Sequence, residues 1–207
     1  MRKIKKFKVA IHLKEILRRV KLANIDMAAA GFPLESDLAV FIASLHEALR
    51  PGVVYEFVEG QCLELSSAGI KQEERFSLCV ITLGGEIEKA AAIDNMQAAA
   101  TANIVIYDFL RTAVSFIADL IKEDAEKEDC VTQGYELLYA PAFSYGPLPK
   151  FLREASKVEP EKAKAALPAV FERLNASKIN VTIEDGQIKP KATIVFIMPW
   201  YKKKGKK

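Results

Sequence analysis

The sequence predicts a single α+β domain, and three observations carry that reading. Residues 76–83 form a strand-like run, Gly84 and Gly85 break it, and residues 86–121 are almost free of helix breakers, with Asp94 or Asn95 able to start a second helix. Within that stretch Gln97, Thr101, Asp108, Thr112, Ser115, Asp119 and Lys122 recur at helical spacing. Ala99, Ala102, Ile106, Leu110, Ala113, Ile117 and Leu120 take the opposite face, and the small residues at 98–100 let another element approach closely. This long Ala-rich helix therefore belongs at the centre of the fold. Near the end of the chain, Asp185 and Gly186 give a type I′ turn signal between strand-like residues 179–184 and 187–189.

The remaining elements follow in order. Residues 12–21 place Leu13, Ile16, Leu17 and Val20 on one face of a short amphipathic helix. After a break at Gly31 and Pro33, Ser36 is a candidate N-cap for a helix reaching Leu49, with Leu38, Phe41, Ile42 and Leu45 on its apolar face. Residues 53–58 are strand-like, Gly60 introduces a second short strand over 61–65, and Ser66 or Ser67 could cap a turn of helix. Residues 122–129 make a charged, solvated run, and 135–139 a strand that leads into the turn-rich loop 140–149. Helical pieces at 150–156 and 161–174, the second bent or interrupted at Pro168, precede strands at 178–189 and 193–198.

Composition narrows the function classes. An apolar share of 50% with 28% charged residues describes a globular chain, and no run reaches the roughly eighteen apolar residues that span a bilayer. The basic start lacks an apolar stretch behind it, so it does not read as a signal peptide. Three cysteines (Cys62, Cys79, Cys130) without a C-x-x-C pair argue against a disulfide framework or zinc site and fit a reducing cytoplasm. The small net charge of +3 is concentrated in a basic N-terminal arm (1–8) and a Lys-rich tail (201–207), flanking a domain at 9–200. Such ends could hold nucleic acid or an acidic membrane surface, but without interleaved aromatics they read as frayed, solvated termini.

Chemical signals are sparse. There is no Walker A or G-x-G-x-x-G sequence. Gly84, Gly85 and Glu86 sit where a helix N-terminus could meet an anion, or simply where a tight turn is needed. His12 and His46 have no second metal ligand at i+3 or i+4, and no cysteine has a neighbouring His. Asp108 and Arg111 are spaced to pair on the central helix or to line a cleft. The loop from Tyr139 to Pro149 is the leading site candidate: Tyr139, Phe143 and Tyr145 supply rings, Ser144 a hydroxyl, and Gly146 freedom between prolines.

Taken in order, several short pieces resemble the activation (reactivation) domain of vitamin B12-dependent methionine synthase and its stand-alone relatives. They are the helix opening at His12 to Arg18, the run Arg50, Pro51, Gly52, Val53, Val54, Tyr55, and the strand and turn from Val80 to Ile87. The Ala-rich helix through Asp108, the loop Ser144, Tyr145, Gly146, Pro147 and the closing strands around Ile179 to Ile183 and Pro190 extend the likeness over residues 9–198.

The resemblance implies a C-shaped α+β domain on a bent, mainly antiparallel sheet. It implies S-adenosylmethionine binding at Tyr139, Ser144, Tyr145 and Gly146, with Glu86 added, and docking on a protein that holds cobalamin. There, cob(II)alamin is reduced by an electron donor such as a reductase and remethylated from S-adenosylmethionine, so the chain would assist a methyltransferase rather than complete a reaction alone. One departure stands out. Aligning Tyr145 and Gly146 with the family's loop puts Ala140 at an Arg position, Phe143 at a Pro and Ser144 at a Gly, which removes a guanidinium from the ligand carboxylate. A docking module that no longer binds S-adenosylmethionine is the alternative, and binding through the Lys-rich tail a second one.

Overall fold

The computed structural model describes residues 1–143 and 149–203. In chain order the elements are β1 (Arg2–Lys5), α1 (Leu13–Leu22), α2 (Glu35–Glu47), β2 (Gly52–Glu59), α3 (Leu63–Ser67), β3 (Arg75–Thr82), α4 (Glu86–Ala90) and α5 (Met96–Lys127). There follow β4 (Cys130–Thr132), β5 (Glu136–Tyr139), α6 (Lys150–Ala155), α7 (Pro160–Arg173), a 3-10 turn (Ala176–Ile179), β6 (Thr182–Glu184), β7 (Gln187–Lys189) and β8 (Thr193–Lys202). The fold is α+β, with a mainly antiparallel sheet and one long central helix.

The sheet runs β1-β2-β3-β8-β4, and β5 pairs with β8 on the same side as β4. Alternate residues of its inner strands enter two different cores. Val53, Cys79, Ile81, Ile194 and Phe196 pack under α1, α2 and α5. Val54, Leu78, Val80, Val195 and Ile197 pack on the other side with residues of α3, α7 and the 3-10 turn. Covering both faces explains why β3 and β8 are continuously apolar rather than alternating, a pattern more usual in parallel sheets.

Helix α5 is 32 residues long and begins at Asn95, whose side-chain carbonyl accepts the N–H groups of Gln97 and Ala98 at 2.9 and 3.0 Å. Its amide also donates to the Ala29 carbonyl at 2.8 Å, tying the helix start to the loop after α1. The helix runs beyond the expected end at Ile121, because pairs such as Lys122–Asp119 and Lys127–Asp124 lie one turn apart on a helical backbone. The expected polar face is not all at the surface: Thr101 and Asp108 are fully buried.

Other local expectations change for identifiable reasons. Helix α2 starts from Leu34, not Ser36, because the Asp37 carboxylate accepts the Leu34 N–H at 3.0 Å. Residues 61–65 form no strand; the Gln72 side chain satisfies both the N–H and the carbonyl of Cys62, and α3 starts there. Helix α7 continues through Pro168. The hairpin β6–β7 turns on Asp185 and Gly186, both at positive φ, as a type I′ turn requires. The strand before it starts only at Thr182, after the 3-10 turn.

The basic N-terminus is not a frayed arm. β1 pairs with β2, Arg2 reaches Asp124 near the end of α5 at 2.7 Å, and the buried Phe7 ring stacks on Phe116 at 5.4 Å. At the other end, Tyr201 and Lys202 extend β8 and pair with β4, and residues 204–207 lie outside the described residues. Among the described residues no helix is long and apolar enough to cross a membrane.

Helix α1 carries an acid-sensitive cluster. Hydrogen bonds from Arg18 and Arg19 hold the Glu15 carboxyl down at about 2, against an ordinary 4.5. A depressed carboxyl stabilises the fold above its unfolded value, and that contribution is lost as pH falls from about 4.5 toward 2. Urea midpoints of the parent and Glu15→Gln should therefore differ at pH 6 and converge by pH 2; a gap that persists at pH 2 would assign the effect to packing.

Candidate functional site

The loop that follows β5 is tied to the central helix by one phenol. Tyr107, buried in α5, donates its hydroxyl to the Pro141 carbonyl at 3.0 Å and accepts the Phe143 N–H at 3.3 Å. The two rings meet edge to face, with centroids 5.0 Å apart. A register shift between Leu137 and Tyr139 ends β5 against β8 and releases the chain into the loop. Burial, and then the charges of Glu88 and Tyr107, raise the Tyr139 hydroxyl above its usual value, which places those groups in its surroundings. Burial likewise raises Tyr107, opposed by its hydrogen bond with Phe143.

The turn between β3 and α4 leads to a second carboxylate, Glu88, beside the Glu86 that the sequence suggests. Glu86 is exposed and its carboxyl is lowered by the hydrogen bond from Lys89 Nζ at 2.9 Å. Glu88 is half-buried; its Oε1 accepts the Ala192 N–H at 2.8 Å, and it is Glu88 that acts on Tyr139. Spacing along α4 favoured neither residue, and only the position of β8 separates them. Ala140, at the position compared with an Arg above, packs against the core. Ser144, Tyr145 and Gly146 lie outside the described residues.

The glycine turn has a steric origin. Gly84 has φ +87°, and a Cβ there would stand 2.7 Å from the Arg50 Cβ and 2.9 Å from its carbonyl oxygen. Arg50 N–H donates to the Leu83 carbonyl at 2.8 Å, and Leu83 N–H to the Ala192 carbonyl at 2.9 Å. Gly84 thus lets the end of α2, β3 and the approach to β8 meet in one place.

A second constellation was only half legible in the sequence. Asp108 is 0% exposed, and Arg111 donates to its Oδ1 through Nη2 at 2.7 Å and Nε at 3.2 Å. The His12 Nδ1 stands 3.2 Å from Asp108 Oδ2. The pairing of Asp108 with Arg111 follows from their spacing, but His12 lies 96 residues away, with no local pattern to announce it. The buried carboxylate fixes an imidazole at the start of α1 and bridges α1 to α5. Among the described residues no group of three His, Cys, Asp or Glu side chains could hold a metal ion.

Two surface cavities have no described residue of the loop in their walls. One, of about 570 Å³, lies at the end of the sheet beside Arg75, Trp200 and Tyr201. The other, of about 470 Å³, lies between residues 6–9 and the end of α2, and includes Lys6, Lys8, His46 and Arg50. Neither has Tyr139 or Glu86 in its walls. No family model matches the sequence, and no curated protein matches it.

Proposed function

We propose that this chain is an accessory module that binds S-adenosylmethionine and assists reductive methylation of a corrinoid held by a partner methyltransferase. The observation that carries the reading is the double hydrogen bond of Tyr107, which fixes the start of the Tyr139 loop over the central helix. A sulfonium ligand calls for aromatic faces and a nearby carboxylate. Tyr107, Tyr139 and Phe143 supply the rings there, and Glu88 supplies the carboxylate, one of whose oxygens is engaged by Ala192. The chain's task would be orientation, with cobalamin on the partner and an electron donor supplying the redox chemistry.

A second reading, a corrinoid-protein docking module without S-adenosylmethionine, is favoured by Ala140, which offers no guanidinium to a ligand carboxylate. Calorimetry separates the two. The first expects saturable micromolar binding of S-adenosylmethionine, abolished in Tyr139→Ala and Tyr145→Ala. Absence of heat, together with co-elution on a cobalamin-loaded methyltransferase, would favour the second. Failure of both measurements would remove the corrinoid reading.

A further inference from the structure

We infer that the cavity between residues 6–9 and the end of α2 is a binding site for a small organic phosphate. Its walls include no described residue of the Tyr139 loop, and the inference does not depend on the reading given above. The chain as a whole is almost balanced, with 30 Lys and Arg against 27 Asp and Glu. Yet Lys6, Lys8 and Arg50 line this cavity, and no Asp or Glu does. At about 470 Å³ it falls within the range of sites for small ligands. Lys89, Lys122, Lys127 and Lys162 are each engaged by a carboxylate one helical turn away. The ammonium groups of Lys6 and Lys8 have no such partner among the described residues.

The walls are held together before any ligand arrives. The Lys6 N–H donates to the Pro51 carbonyl at 3.1 Å, and His46 Nε2–H donates to the Val9 carbonyl at 2.8 Å. Arg50 spends Nη1 on the carbonyls of Glu47 and Leu49, at 2.8 and 2.7 Å. The first of those bonds offsets part of the negative end of α2, and the two together fix the guanidinium plane. Among the described residues Nε and Nη2 of Arg50 have no partner and remain as a fork suited to two oxygens of one phosphate. Fixing these donors in advance reduces the entropy lost on binding. Glu86, whose carboxyl Arg50 helps to lower, is itself hydrogen-bonded to Lys89.

The ligand class follows from this arrangement. Three cations match a phosphate dianion better than a single carboxylate. The buried Phe7 and Leu49 give the other end of the ligand an apolar floor. A phosphate monoester carrying a compact apolar or aromatic body meets both requirements. The Gly84 turn noted above as a possible anion site participates at one remove, by packing against Arg50.

The test uses the full chain, with phenyl phosphate and pyrophosphate titrated calorimetrically at low salt. Saturable one-site binding is expected, weakened at least about tenfold in the Lys6→Gln/Lys8→Gln double variant. Arg50→Lys, which keeps the charge and loses the fork, should weaken it as well. Three outcomes overturn the proposal: no saturation at millimolar ligand, unchanged affinity in the double variant, or loss of binding when Lys202 and Lys203 are changed to Gln instead. Should the double variant lose thermal stability, amide shift changes in the parent decide. Changes confined to Lys6, Phe7, Lys8, His46 and Arg50 support the site, and changes elsewhere refute it.

Discussion

Replacing Arg111 with methionine is expected to cost about 3 kcal/mol, whereas replacing Asp108 with asparagine should cost only about 1. The asymmetry follows from where each group stands. Asp108 is fully buried, while the side chains of Arg111 and His12 are 33% and 44% exposed. Removing the guanidinium takes both donors from Oδ1 of a carboxylate that cannot turn to water, with His12 still beside Oδ2. Removing the carboxylate leaves two groups that can. Urea unfolding of Arg111→Met, Asp108→Asn and the double change Arg111→Met/Asp108→Leu checks the argument, and the double variant should recover most of the Arg111→Met loss. If Asp108→Asn proved the costlier single change, the desolvation account of this cluster would be wrong.

Gly84→Ala is the other substitution with a large expected effect, about 2–4 kcal/mol. Two costs combine: a left-handed backbone at φ +87°, and a Cβ 2.7 Å from the Arg50 Cβ and 2.9 Å from its carbonyl oxygen, where the backbone cannot swing aside. Gly60 isolates the first cost. It has φ +82°, and a Cβ there meets nothing within 4 Å, so Gly60→Ala should cost only about 1 kcal/mol. Thermal midpoints of the two variants measure the steric part directly; equal losses would dispose of the Arg50 contact.

What the sequence discloses about this fold depends on how far an interaction reaches along the chain. α5 is legible because its periodicity is strong and local, and β3 because a continuous apolar run is closed by two glycines. The hairpin at Asp185 and Gly186 is legible because its turn chemistry demands positive φ. β4 is three residues long, too short to give a period, and it is a strand because β8 runs past it. Residues 61–65 carry strand-like residues, yet Gln72 caps Cys62 and a helix starts instead. The N-terminal lysines look like a solvated arm in isolation, and only the exposed edge of β2 gives them a partner.

The candidate sites divide in the same way. Tyr139 and the loop are singled out by composition. Tyr107, which fastens that loop, sits inside a helix among apolar residues and gives no signal of its own. Glu88 is set apart from Glu86 by its bond from the Ala192 N–H, a contact 104 residues away that no local pattern announces. The basic cavity unites residues 6–9 with the end of a helix some forty residues on, and no spacing rule connects them.

β8 is bordered by β3 on one side and by β4 and β5 on the other. Every strand it unites precedes it in the chain. During vectorial synthesis, at roughly 5–20 residues per second, the earlier strands must therefore wait with a central slot vacant, their edges open to any passing extended segment. Closure is a late, long-range event. A ribosome paused ahead of Thr193 would hold a nascent chain with its keystone missing, a natural client for a chaperone.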